Sequence, residues 1–244
     1  MADSSRFDFE RVLAHKFPEK IYTYTERDVV IYALGVGACG RNPVDTDELK
    51  YAYHESGPQF IQVLPTFASL FSLGYVTDGS GVPGLPYDKR LLLHGQQYIE
   101  IYKPLPPKAS LQNEVTLAGL HDKGKAAILE LETKALLYRL SGDYNPLHSD
   151  PKMAQVAGFS RPILHGLCTL GFAVRAIIKC ICKGDPHIVK NILGRFLLHV
   201  YPGETLITEM WLEGLRVLYQ TKVKERNRTV LSGYVDLRGL TSSL

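Results

Sequence analysis

The chain has 244 residues, between one domain and two at about 150 residues apiece, and enough for a core that needs neither a disulfide nor a metal to hold it. Charged residues make up 22% and hydrophobic residues 45%, which excludes wholesale disorder. The 28 Lys and Arg against 25 Asp and Glu leave a net charge of +3, too small and too scattered for a nucleic-acid surface.

The first thirty residues carry charges throughout, so no secretory apolar region is present there. Thr25-Glu26-Arg27-Asp28 resembles a helix cap and predicts a helix over 26–34 ended by Gly35. Gly35-Val36-Gly37-Ala38-Cys39-Gly40 matches G-x-G-x-x-G after the apolar run 29–34. A dinucleotide loop must open a helix within its glycines, however, and Arg41-Asn42-Pro43 stops one.

The chain repeats itself weakly. Residues 107–114 align with 202–209, Gly119-Leu120 with Gly214-Leu215, and 31–35 with 137–141. In the second copy, Ser149-Asp150-Pro151 starts a helix and Gly158 stops it. Residues 163–183 are apolar almost all round. They predict a buried helix ended by Gly184 and Asp185-Pro186, and His165, Arg175 and Lys179 argue against a membrane span. Strands are expected over 205–212, 215–223 and 229–237, with Asn227 and Arg228 in the last turn. A helix apolar on every face needs a sheet that wraps it, which gives an α+β class with an antiparallel sheet curled around one helix per copy.

The copies are unequal. After Leu215 the second has 29 residues, enough for two strands; after Leu120 the first has 14 before Ala135-Leu136-Leu137-Tyr138 opens the next copy. The expected halves are 1–134 and 135–244, with the first lacking its final strand and 126–133 running straight into the next helix. Cys39, Cys168, Cys180 and Cys182 form no C-x-x-C pair and read as free thiols in a reducing compartment. The chain finishes Thr241-Ser242-Ser243-Leu244, the small–polar–Leu shape of a peroxisomal address with Ser in place of the standard Lys.

The chemistry concentrates in 138–148. Asp143 and His148 lie five apart around Asn145-Pro146, so a tight turn rather than a helix can point both into one cavity. An Asp and a His sharing a water form an acid–base pair. The plainer alternative is that Asp143 caps the turn while His148 packs. No third metal ligand stands at suitable spacing, and no G-x-S-x-G occurs, so neither a metal site nor a serine hydrolase is expected, and no cofactor is called for. Downstream, in Arg161-Pro162-Ile163-Leu164-His165-Gly166, Gly166 opens the buried helix. Its amide is a candidate oxyanion donor, unless the glycine serves only close packing.

Ser141-Gly142-Asp143-Tyr144-Asn145-Pro146-Leu147-His148, followed by Arg161-Pro162-Ile163-Leu164-His165-Gly166-Leu167, resembles the signature of the MaoC-like (R)-specific enoyl-CoA hydratases, or hydratase 2. Leu64-Pro65-Thr66-Phe67, Leu93-His94-Gly95-Gln96-Gln97-Tyr98 and Tyr201-Pro202-Gly203-Glu204-Thr205 are similar to its eukaryotic peroxisomal, monofunctional members. The resemblance implies a double hot-dog fold and hydration of 2-trans-enoyl-CoA to (3R)-3-hydroxyacyl-CoA, serving peroxisomal β-oxidation of fatty acids with cis double bonds at even positions. It implies Asp143 and His148 as the acid–base pair and Gly166 as the oxyanion amide. Asn145 holds the pair or its water, and Tyr144, Pro146 and Leu147 complete the loop. His94, Gly95, Lys123 and Phe196 then line the CoA ester site, with Lys123 toward the phosphates. Gly37 stands where Asp143 stands, so the first copy has no acid there. Implied partners are the acyl-CoA, a peroxisomal import receptor reading Ser242, Ser243 and Leu244, and a second subunit in a homodimer.

One departure stands out. Glu132-Thr133-Lys134 jumps to Ala135-Leu136-Leu137, where the family continues with the closing strands of one hot dog and the opening strand of the next. A few tens of residues are missing at this junction, which exposes sheet edges. Two alternatives follow: an inactive or unstable shortened form that at most binds acyl-CoA or a full-length partner, and an acyl-CoA thioesterase on the same fold.

Overall fold

The computed structural model describes residues 9–72, 75, 82–85, 87, 88, 91–124, 126–136 and 146–239. In chain order its helices and strands are α1 (Phe9–Leu13), β1 (Lys20–Tyr24), α2 (Glu26–Gly35), β2 (Gln96–Glu100), β3 (Ala109–Asp122), β4 (Ala127–Leu136), α3 (Pro151–Val156), α4 (Gly166–Cys180), β5 (Val189–Phe196), β6 (Leu206–Glu213), β7 (Arg216–Val223) and β8 (Arg228–Leu237). They fall into two compact units, one drawn from residues 1–23, 70–92 and 109–145, the other from 24–69, 93–108 and 146–244.

The first unit holds a three-stranded sheet in the order β1-β3-β4. In β3, side chains alternate between buried and open positions, as a half-covered strand requires. Val115 and Leu117 join Val12, Phe17, Tyr75 and Val82 in a small core. The repeat had placed a helix start at Ala135, but Ala135 and Leu136 remain in strand, paired with Asn113 and Gln112. β3 extends back to Ala109 and offers free ladder positions, so continuing the ladder satisfies these backbone groups directly. The rest of that repeat, 137–141, lies outside the described residues.

The second unit holds a five-stranded sheet in the order β2-β5-β8-β7-β6, with every neighbouring pair antiparallel. α4 packs against β5, β6 and β8 and buries Leu170, Ala173, Val174 and Ile177 completely. This is the expected sheet around one helix. Burying four such side chains stabilises the unit by about 1.5–3 kcal/mol for each of the larger ones. The helix begins at Gly166, not at 163, because the Leu164 amide is committed to the Val200 carbonyl at 2.7 Å and His165 is extended. It stops at Cys180, and Gly184 turns the chain with φ +83°. β6, β7 and β8 match the three expected strands closely, except that Arg228 opens β8 while Asn227, at φ 46°, carries the turn.

α2 also lies where expected. Its capping box is formed by Thr25 and Asp28, whose carboxylate accepts the Thr25 amide at 2.8 Å and hydroxyl at 2.7 Å. The glycines that follow close the helix: Gly37 takes φ +86° and the Ala38 amide returns to the Ala33 carbonyl at 2.9 Å. A helix C-terminus presents carbonyls and a negative dipole end, the wrong polarity for a pyrophosphate. A Cβ on Gly37 would come within 2.6 Å of the Phe172 ring, so no aspartate fits there with the ring in place.

Two cations on α4 are explained by partners from 45–48. Arg175 pairs with Glu48 and donates to the Val36 carbonyl at 2.8 Å, and Lys179 pairs with Asp45. Among the described residues no helix is long and apolar enough to cross a membrane. All four cysteines are free. Burial pushes the Cys182 thiol up to about 12 and raises those of Cys39 and Cys168, so these three behave as packing groups.

Candidate active site

Pro146–His148 form a single 3-10 turn, after which Asp150 caps α3 by accepting the Lys152 amide at 2.8 Å. Leu147 is buried and anchors the turn, and His148 is half-buried beside it. The Nδ1 of His148 lies 2.9 Å from the Ile163 carbonyl oxygen. A carbonyl only accepts, so Nδ1 carries the proton in the neutral ring and Nε2 holds the lone pair. Any proton that His148 takes or gives therefore moves at Nε2. Its ring stacks on His165, with centroids 3.6 Å apart and planes 27° from parallel. Sequence reading had assigned His165 no role, although it sits between Leu164 and Gly166 in the quoted motif.

Gly166 is the first residue of α4, and the first amides of a helix lack an intrahelical acceptor. Together with the positive dipole end they favour an oxygen that is gaining negative charge. Phe196 stands over this glycine: a Cβ there would meet the ring at 2.9–3.0 Å. β2 pairs with β5, the Phe196 amide donates to the Gly95 carbonyl at 3.0 Å, and the His94 ring meets the Phe196 ring edge-on at 5.2 Å. Sheet pairing thus brings His94, Gly95 and Phe196 to the helix end that carries Gly166. Gly166→Ala is expected to force the Phe196 ring aside and cost about 1–3 kcal/mol by overpacking, despite alanine's better helix propensity. Thermal melts should show the loss, and Phe196→Leu in the same chain should recover most of it.

Lys123 belongs to the first unit. It is exposed in the β3–β4 turn of the first unit, its amide bonded to the Ala126 carbonyl at 2.8 Å and followed by Gly124 at φ +77°. Asp143, Tyr144 and Asn145, and the terminal Ser242, Ser243 and Leu244, lie outside the described residues.

A support that sequence reading missed holds the loop bearing Val200, whose carbonyl fixes Leu164. Arg226 pairs with Glu204 and donates to the His199 carbonyl at 2.8 Å, while Glu204 accepts the Tyr201 amide at 2.8 Å. Hydrogen bonding from Arg226 holds the Glu204 carboxyl below its usual 4.5. A depressed carboxylate contributes stability that is complete above its unfolded pKa and fades as pH falls through the folded value. Glu204→Gln is expected to lower stability at neutral pH and to shallow the acid limb. Urea midpoints at neutral and strongly acidic pH read both effects.

Residues 22–138 match the family described as the MFE-2 hydratase 2 N-terminal domain, and residues 105–233 match the MaoC like domain. The chain is 59% identical to the peroxisomal enoyl-CoA hydratase 2 of Arabidopsis thaliana over 304 aligned positions covering 98% of both chains. Since 98% of 244 residues is about 239, about 65 of those positions are residues of the relative that this chain lacks. It is 36% identical to the peroxisomal multifunctional enzyme type 2 of Mus musculus, covering 97% of this chain and 39% of that one. The crystal structure of a MaoC-like dehydratase from Phytophthora capsici superposes with a TM-score of 0.80 at 28% identity, covering 96% of this chain and all of that one. With a wrapped helix, its N-terminal glycine and two matching domain families over most of its length, this chain is a double hot-dog protein of the MaoC-like hydratase 2 family.

Proposed function

We propose that this chain hydrates 2-trans-enoyl-CoA to (3R)-3-hydroxyacyl-CoA in peroxisomal β-oxidation of fatty acids with even-position cis double bonds. The observation that carries the reading is the placement of His148: Nδ1 is fixed on a carbonyl, which leaves Nε2 as the reactive nitrogen, on the motif that also supplies the Gly166 helix end. The thioester carbonyl oxygen accepts from the Gly166 amide, which stabilises the enolate-like oxygen as water adds at C3. Asp143, as the carboxylate, accepts a proton from that water, and His148, in its imidazolium form, delivers the Nε2 proton to C2, the two acting together as one acid–base unit. Tyr144, Asn145, Pro146 and Leu147 shape the loop that holds the pair. His94, Gly95 and Phe196 wall the ester, and Lys123 faces CoA phosphates.

In this reading residues 1–134 form the non-catalytic half and 135–244 the catalytic half, and the missing positions lie at their junction. Ser242, Ser243 and Leu244 address the chain to the import receptor, and the protein works as a homodimer. The test follows loss of the enoyl thioester absorbance on the purified chain, with chiral analysis of the product. An (S) product, or CoA release without hydration, would overturn the proposal.

One observation favours a second reading, a shortened form that binds acyl-CoA without turning it over: the helix-facing side chains of β6 are not fully covered. A cooperative melting transition with acyl-CoA binding and no hydration would select it.

A further inference from the structure

The sheet of the second unit ends on β6, and the core is left open there. β6 pairs with β7 from Leu206↔Val223 to Glu213↔Arg216 without a shift in register, and among the described residues no strand lies along its other side. In β7 the helix-facing row, Val217, Tyr219, Thr221 and Val223, is buried throughout. Their partners on β6 are Leu212, Met210, Thr208 and Leu206, which therefore share that face. None of the four is buried, and Leu212 is 46% exposed. The opposite face carries Ile207 and Trp211, also exposed. A regular eight-residue edge with apolar side chains on both faces, and with no Pro, Lys or bulge, has only the charges of Glu209 and Glu213 to discourage pairing.

We propose that β6 is the docking strand for a second copy of this chain, joined antiparallel about a two-fold axis that passes through Met210 normal to the sheet. Such an axis makes one surface serve both subunits and continues the sheet with both α4 helices on the same face. Charge selects the register. With the axis at Met210, Trp211 faces the partner's Glu209, Ile207 faces the partner's Glu213, and Leu212 faces the partner's Thr208. Moving the axis to Trp211 sets Glu209 against Glu213, and moving it to Glu209 sets that residue against its own copy; like charges directly opposite destabilise a pair. An axis at Thr208 leaves 211–213 without a strand partner. An axis between residues turns the second helix to the other face and leaves both helix-facing rows open.

Trp211 is the chain's only tryptophan, so its emission reports on this edge. Sedimentation and tryptophan emission are measured across a micromolar to near-millimolar series. The expected result is a reversible dimer whose emission moves to shorter wavelength as it forms. Ile207→Glu places a second carboxylate against the partner's Glu213 in both halves of the interface and is expected to weaken association roughly tenfold. Ile207→Lys faces the same glutamate and is expected to preserve or tighten it. Ile207 is exposed, so melting curves of both variants should overlay the parent at concentrations where all are monomeric. A monomer throughout the series, a dimer with unchanged emission, or equal weakening by both charges would each overturn the proposal.

Discussion

Replacing His148 by glutamine is expected to lower kcat for hydration by about 10²–10⁴, the usual share of a positioned acid–base group. The variant separates chemistry from scaffolding because a glutamine amide can still donate to the Ile163 carbonyl, the bond that fixes the ring in the parent at 2.9 Å. It carries no basic nitrogen that can take up and release a proton, so proton transfer is what it removes. The melting temperature should stay near that of the parent, and KM should change much less than kcat. The same measurement on Asp143→Asn should give a loss of comparable order, and the double variant little more than either alone, since groups that act as a unit are not additive. Hydration that persists in His148→Gln would move the proton-transfer role to another residue, with the stacked His165 ring the first to examine.

Much of the second unit was legible in the sequence because its signals are local. Thr25 and Asp28 announce a cap, Asp150-Pro151 a helix start, and Asn227 a tight turn, and each sets backbone geometry within a few residues. The 163–183 stretch, apolar almost all round, similarly demanded a wrapping sheet, and α4 has one. What the sequence hid depends on distant partners. Leu164 stays outside α4 because Val200, thirty-six positions away, takes its amide, and a helix start moves by three residues as a result. Ala135 and Leu136 form strand because β3 offers them a ladder, against the repeat that marked them helical. The His148–His165 stack needed two loops to converge, and nothing in their spacing showed it. The Asp143–His148 motif was plain as a motif, yet Asp143, its proposed carboxylate, falls among residues outside the described set, so its proposed partnership with His148 rests on chemistry and resemblance.

Arg175→Met is expected to be the most damaging single change to stability, at about 3–5 kcal/mol, because it strands a charge rather than deleting a contact. Glu48 is 4% exposed, and its carboxylate accepts the Cys39 amide at 3.0 Å while pairing with Arg175. Methionine fills the space of the arginine stem but leaves that carboxylate without its main counter-ion. Lys179, 3.9 Å away, is already engaged by Asp45 and offsets only part of the loss, which argues for the lower half of the range. The guanidinium also caps the end of α2 by donating to the Val36 carbonyl, so the change frees a helix-terminal acceptor as well. The decisive comparison is with Arg175→Met combined with Glu48→Gln. If the stranded charge is the cause, neutralising it should recover more than half of the loss, since a buried ion pair replaced by neutral groups of similar volume is often close to neutral in stability. If lost packing or the lost bond to Val36 dominated instead, the double variant would melt no higher than Arg175→Met alone. Differential scanning calorimetry on the parent and these variants reads the outcome directly, with the single change expected to lower Tm by about 10 °C for a chain of this size.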